Sequence, residues 1–133
     1  QVSNSMVLII AYINEETPIA SSLSFIEDID GKISTLYGRY WGALNNISNL
    51  HFEVAYYVLI EWCIEHGVQT FEGGAQGEHK LARGFEPIIT HSVHWISNSQ
   101  FRTPIRSFLN NEDQHIDSYV ESLKLRTPYK KES

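Results

Sequence analysis

Met6 to Ile13 reads MVLIIAYI, an unbroken apolar run rich in β-branched residues, and it closes on Asn14-Glu15-Glu16-Thr17-Pro18. That pattern predicts a buried strand followed by a turn. Ile19–Asp28 alternates more loosely and reads as a second strand. Asp30-Gly31 then supplies hairpin chemistry, because glycine accepts positive φ without a steric penalty. Lys32–Gly38 completes a three-stranded antiparallel meander, and Arg39-Tyr40-Trp41-Gly42 reads as a polar-aromatic strand end where the chain leaves the sheet.

From Leu50 the period changes. Phe52, Tyr56, Leu59, Ile60 and Cys63 share one helical stripe, with Val54, Val58 and Trp62 in a second stripe beside it. This predicts a helix over Leu50–His66, N-capped by Asn49 and ended by Gly67. So wide an apolar arc implies packing on a sheet and on a second element. Val68–Glu72 reads as a short strand, Gly73–Gly77 as a turn, and Glu78–Arg83 as a helical turn that stops at Gly84. Phe85–Ile96 reads as an extended strand with Pro87 near its start. Thr103-Pro104 looks like an N-cap and first helical position. Beyond it Ile105, Phe108, Leu109, Ile116, Tyr119, Val120 and Leu123 keep helical spacing to about Leu125. The tail 126–133 is polar and expected to fray. The order β-β-β-α-β-α-β-α predicts an α/β (mixed α+β) fold, a mixed and mostly antiparallel sheet flanked by helices.

The 133 residues suffice for a single domain, and the formal charge of -6 argues against a DNA or other general nucleic-acid binder. A local cluster of cations can still hold an anion on an acidic protein. One cysteine, Cys63, allows no intrachain disulfide and suits a cytoplasmic setting. The longest apolar run is too short to span a bilayer. The start at Gln1, moving almost at once into a strand, reads as a cut inside a longer protein.

The stretch Gly73–Lys80 carries the densest candidate chemistry. Its glycines can converge backbone N–H groups on an anion, while the plain alternative is a strand-to-helix turn that needs positive φ. Lys80 and Arg83 lie three apart on one side of the following turn, and Arg39 is a third candidate cation; the alternative for each is a solvated surface charge. Tyr40 and Trp41 beside Arg39, with Gln76 and His79, complete the candidate substrate-binding set. His91 and His94, three apart on a predicted strand, point to opposite faces and make a poor metal pair. Glu72, Glu78 and His79 show no recognised metal spacing, so no metal is expected. Cys63 sits on an apolar stripe, where a thiol is inert.

Tyr37-Gly38-Arg39-Tyr40-Trp41-Gly42, Leu50-His51-Phe52-Glu53 and Gly74-Ala75-Gln76-Gly77-Glu78-His79-Lys80 stand in this order, followed by Arg83-Gly84-Phe85-Glu86-Pro87 and His94-Trp95-Ile96. In these segments the chain resembles the FemAB-like, peptidoglycan-biosynthesis-associated acyltransferases of the GNAT superfamily, over roughly residues 6–130. The resemblance implies a GNAT-like acyl-CoA N-acyltransferase fold, and a single domain that forms the C-terminal part of a two-lobed protein. It implies acyl or aminoacyl transfer to an amine, on a cell-wall precursor such as a muropeptide. Acyl-CoA or aminoacyl-tRNA would be the donor; the protein's own N-terminal half, or a second copy, would be a partner.

Such a reaction needs a base and oxyanion donors. Glu72, at a strand end beside the glycines, is the candidate base, ahead of Glu53, whose place in a first helical turn the helix dipole alone explains. Lys80 is the candidate catalytic lysine; the Fem transferases place theirs close to the Gly-Phe pair, and Lys80 lies farther upstream of Gly84-Phe85, so the family role does not carry over directly. The GNAT signature Gln/Arg-x-x-Gly-x-Gly/Ala is begun by Arg39-Tyr40-Trp41-Gly42 and broken by Ala43-Leu44. A non-catalytic recognition or structural role is therefore the alternative. Tyr40, Glu72, Gln76, His79, Lys80 and Arg83 are expected around one cleft at the strand ends.

Overall fold

The computed structural model describes residues 5–75, 77–126 and 128. They fall into two compact units, Gln1–Gln76 and Gly77–Ser133.

The first unit is a four-stranded sheet in the order β1 (Met6–Tyr12), β2 (Pro18–Ile29), β3 (Lys32–Ala43), β4 (Thr70–Glu72). The first three strands are antiparallel, and β4 joins β3 in parallel. A parallel neighbour needs a crossover connection, and residues 50–65 supply it as a helix. The expected mixed sheet is present. Asp30 and Gly31 both take positive φ, 55° and 78°, as the tight β2–β3 turn requires.

Two strand expectations change. β1 is an edge strand whose Met6, Leu8, Ile10 and Tyr12 are exposed, so it is covered on one face only. β3 does not leave the sheet at Arg39; it runs on to Ala43, paired with Ala20, Ser21 and Ser22 of β2.

The core lies between sheet and helix. Ile26, Leu36 and Phe71 are cross-strand neighbours on β2, β3 and β4. Leu36 packs with Leu59 and Cys63 of the helix, and Val7, Ile9, Trp62 and Val68 surround them. Of the five residues expected on the buried stripe, Tyr56, Leu59 and Cys63 are buried and Phe52 and Ile60 are half-buried.

The helix is not uniform: α1 (Leu50–Phe52) leads into a π-helical turn, Glu53–Tyr57, and then α2 (Val58–Glu65). The wider turn rotates the stripe, which explains why Val54 is buried with Leu59 five residues on. Asn49 does stand at the N-cap, but in the left-handed region and without a side-chain cap. Its carbonyl instead accepts from the amides of Phe52 and Glu53. Past the end of α2, Gly67 takes φ 66°, and the bonds from Gly67 N to Ile64 O and from Val68 N to Cys63 O close a Schellman motif.

The second unit holds a 3₁₀ turn, Glu78–Arg83, and a 26-residue helix, α3 (Ser99–Lys124). The 3₁₀ turn stops at Gly84, as the sequence suggests. The strand expected over Phe85–Ile96 is absent: residues 85–98 are neither helix nor strand up to the N-cap. Apolar alternation makes a strand only where a neighbour completes the backbone ladder, and this segment is not among the four strands of the sheet. His91 and His94 therefore do not alternate across a sheet.

The start expected at Thr103-Pro104 is also corrected. Asn98 is the N-cap, its side-chain oxygen accepting from Gln100 N at 2.9 Å, and Pro104 lies inside α3. An asparagine cap satisfies an orphan amide directly, and the helix then tolerates a proline that forfeits one backbone bond.

Candidate functional site

In β2 the sequence Ile19-Ala20-Ser21-Ser22-Leu23-Ser24-Phe25 places two serines, Ser22 and Ser24, on the face that the helix covers; both are buried. Across from them β3 carries a bulge. Ser24 faces Gly38 and Leu23 faces Tyr40, so Arg39 is the extra residue. A bulge re-aims the side chains around it; here it brings Gly38 opposite Ser24 and Trp41 opposite Ser22. A Cβ on Gly38 would stand in ordinary van der Waals contact, 3.4 Å from Phe71 Cε2 and 3.6 Å from Glu72 O, so β4 runs close beside it.

Small residues on the sheet, with Ala55 and Gly73, leave a cavity of about 90 Å³ beneath the π turn. Its floor is Ser22 and Ser24, its walls are Trp41, His51, Tyr56, Leu59 and Phe71, and Arg39 and Tyr40 complete its lining. The Ser22 hydroxyl donates to Val54 O at 2.8 Å, tying β2 to the π turn. His51 lies 5.0 Å from Trp41 and 5.4 Å from Tyr56, ring centre to ring centre. Trp41 and His51 also line a second, more open recess of about 320 Å³ with Asn45, Asn46 and Ile47. The Arg39 guanidinium lies 3.5 Å from the Glu72 carboxylate and 5.2 Å from the Tyr37 ring centre. Both partners of that ion pair are about half exposed, so it contributes no more than ~1 kcal/mol and can open for a ligand.

Arg39, Tyr40 and Trp41 thus share one cavity, with Glu72 held at Arg39. Lys80, His79 and Arg83 share the 3₁₀ turn of the second unit. There an Arg83 guanidinium N–H donates to His79 O at 2.6 Å. Burial and the nearby charges of Arg83 and Lys80 push the His79 pKa below its ordinary value. Gly77 takes φ 102°, and any Cβ there would meet the His79 ring at 2.5 Å. Gln76 lies outside the described residues. Burial pushes the Cys63 thiol up to about 11, which leaves it protonated and unreactive at neutral pH. Among the described residues no group of His, Cys, Asp and Glu could hold a metal ion, and no helix is long and apolar enough to cross a membrane.

Sequence reasoning missed Ser22, Ser24 and His51, and took Tyr56 for a core residue alone. A signal was present, because Ser22 and Ser24 share the period-two face of β2 with Ala20 and Ile26, and buried hydroxyls need partners or a use.

The fold and the cavity define a mixed α/β protein with a small, aromatic-walled pocket between a sheet and its crossover helix. The chain belongs to the FemAB-like family, whose model, described as peptidoglycan biosynthesis/recognition, matches residues 1–131. Neither the curated proteins nor the solved structures contain a match to the chain.

Proposed function

We propose that the chain binds a muropeptide-type peptidoglycan precursor and takes part in transferring an acyl or aminoacyl group to an amine on it. The observation that carries this reading is the cavity, whose hydroxyl floor and aromatic walls meet the Arg39–Glu72 pair. Apolar walls with a few placed polar groups are the general form of a small-molecule site. In this reading Arg39, Tyr40 and Trp41 hold the acceptor, while Gln76, His79, Lys80 and Arg83 hold anionic groups of substrate or donor. Glu72 takes the proton as the amine nitrogen attacks the acyl carbonyl, and the donor's thiol or ribose oxygen leaves. The donor is acyl-CoA or aminoacyl-tRNA, the fold is of the GNAT type, and the reaction is cytoplasmic.

One observation favours recognition without catalysis: the Glu72 carboxylate is paired with the Arg39 guanidinium at 3.5 Å. Turnover assays with a nucleotide-linked muropeptide and each donor class separate the two readings. A catalytic Glu72 requires Glu72→Gln to lower kcat far more than it raises KM. Muropeptide binding with no turnover by any donor, and none lost in Glu72→Gln, selects the recognition role.

A further inference from the structure

Ser22 and Ser24 stand two residues apart on the same face of β2, yet they are treated differently. The Ser22 hydroxyl reaches Val54 O, whereas Ser24 is 1% exposed and its Oγ has no hydrogen-bond partner among the described residues. A buried hydroxyl without a partner destabilises a fold, and such groups are rare enough to need a reason. Gly38 directly opposite carries no side chain that could serve as one. Ser24 instead lines the cavity, beside apolar surface from Tyr56, Leu59 and Phe71.

We infer that this cavity is a subsite for a small, neutral acyl or amide group of acetyl or alanyl size, whose carbonyl oxygen accepts the Ser24 hydroxyl. Size and polarity both point there. A volume of about 90 Å³ falls below the 150 Å³ that admits a benzene ring, so it suits a group of about four or five heavy atoms. One methyl matches the apolar walls, and one carbonyl matches the buried, unpartnered Ser24 hydroxyl. The only charged side chain in the lining, Arg39, is already balanced by Glu72. This inference rests on the reading that the chain handles peptidoglycan acyl chemistry, and it names what part of the substrate this pocket selects.

The test uses the intact chain and a series of primary amides, followed by NMR chemical-shift titration: acetamide, propanamide, 3-methylbutanamide and benzamide. Propanamide should bind tightest, with benzamide at least tenfold weaker. Ser24→Ala should weaken propanamide about five- to tenfold, the loss of one hydrogen bond. It should also raise the melting temperature by a few degrees, because an unanswered buried hydroxyl is gone. A purely structural Ser24 would instead lower the melting temperature and leave amide affinity unchanged, and that result overturns the inference. Equal or tighter binding of benzamide, or no binding by any amide, overturns it as well. A parallel titration with nucleotide-linked muropeptide keeps the two readings apart. Muropeptide binding with a flat or absent amide response removes only this subsite; a graded amide response without muropeptide binding removes the broader reading.

Discussion

The sheet unit and the helical unit use comparable apolar sequence to opposite effect. In the first, the stripe on residues 50–65 meets a sheet, and Leu36 and Leu59 lose essentially all contact with solvent. In the second, α3 carries as regular a stripe, yet Ile105, Phe108, Leu109, Ile116 and Tyr119 are exposed, Val120 is half-buried and, among the described residues of α3, only Leu123 is buried. The preceding segment is similar, with Val93 fully exposed and Trp95 83% exposed. Periodicity specifies the element; burial requires a complementary surface as well. Besides the buried Leu81 and Leu123, exposed polar contacts link the elements of the helical unit. Glu78 accepts from the Tyr119 hydroxyl at 3.0 Å and pairs with Arg126 at 2.6 Å, which fastens the 3₁₀ turn to α3 and its C-terminal end. Arg102 donates to Ile96 O and Ser97 O and lies over the Trp95 ring.

The sharpest way to break this comparison is to truncate one side chain from each stripe. Leu59→Ala should cost ~2–5 kcal/mol of stability, as a core leucine does. Phe108→Ala should change it by less than ~0.5 kcal/mol, as an exposed residue does. Urea denaturation followed by tryptophan fluorescence reads both. Equal losses would show that α3 is packed in solution.

A smaller effect concerns the polar fastening of the helical unit. The hydrogen bond to Glu78 raises the Tyr119 phenol above its ordinary pKa, with burial and the Glu78 charge adding to it and Arg126 opposing. Glu78→Gln should therefore bring the phenol down toward the ordinary tyrosine value, read by ultraviolet titration. An unchanged titration would show that the Tyr119–Glu78 bond does not form in water.

The smallest effect is expected at His79. Because its folded-state pKa lies below that of the unfolded chain, the unfolded chain binds the proton more readily. The contribution to stability is therefore present above the unfolded value near 6.5, and is lost as pH falls through the folded value. Proton NMR should find the His79 ring titrating below that of a free histidine, and Arg83→Ala should move it upward. A ring titrating at or above the free value would contradict the geometry of the 3₁₀ turn.

Much of the first unit was legible in the sequence because its signals are local. Asp30-Gly31 sets one turn, Gly67 ends the helix, and the Tyr56–Leu59–Cys63 spacing gives the buried stripe. The π turn was not legible, since a one-residue insertion leaves the apolar count unchanged while rotating the face. Nor was the bulge at Arg39, which depends on register against β2. These two irregularities shape the cavity, so Arg39, Tyr40 and Trp41, singled out by residue type at a predicted strand end, fall in its lining, while Ser24 and His51 line it unanticipated. The 85–96 strand failed for a related reason: an extended apolar pattern says nothing about whether an edge is available to pair with it.

The measurement that bears most directly on the account is calorimetric titration of a nucleotide-linked muropeptide into the intact chain and two variants. Trp41 forms a wall of both the cavity and the neighbouring recess, whereas Phe108 belongs to the exposed stripe of α3. The account predicts saturable one-to-one binding, weakened about tenfold or more by Trp41→Ala, as for an aromatic anchor in a pocket, and unaltered by Phe108→Ala. Absence of binding, or binding that Trp41→Ala leaves intact, would contradict it.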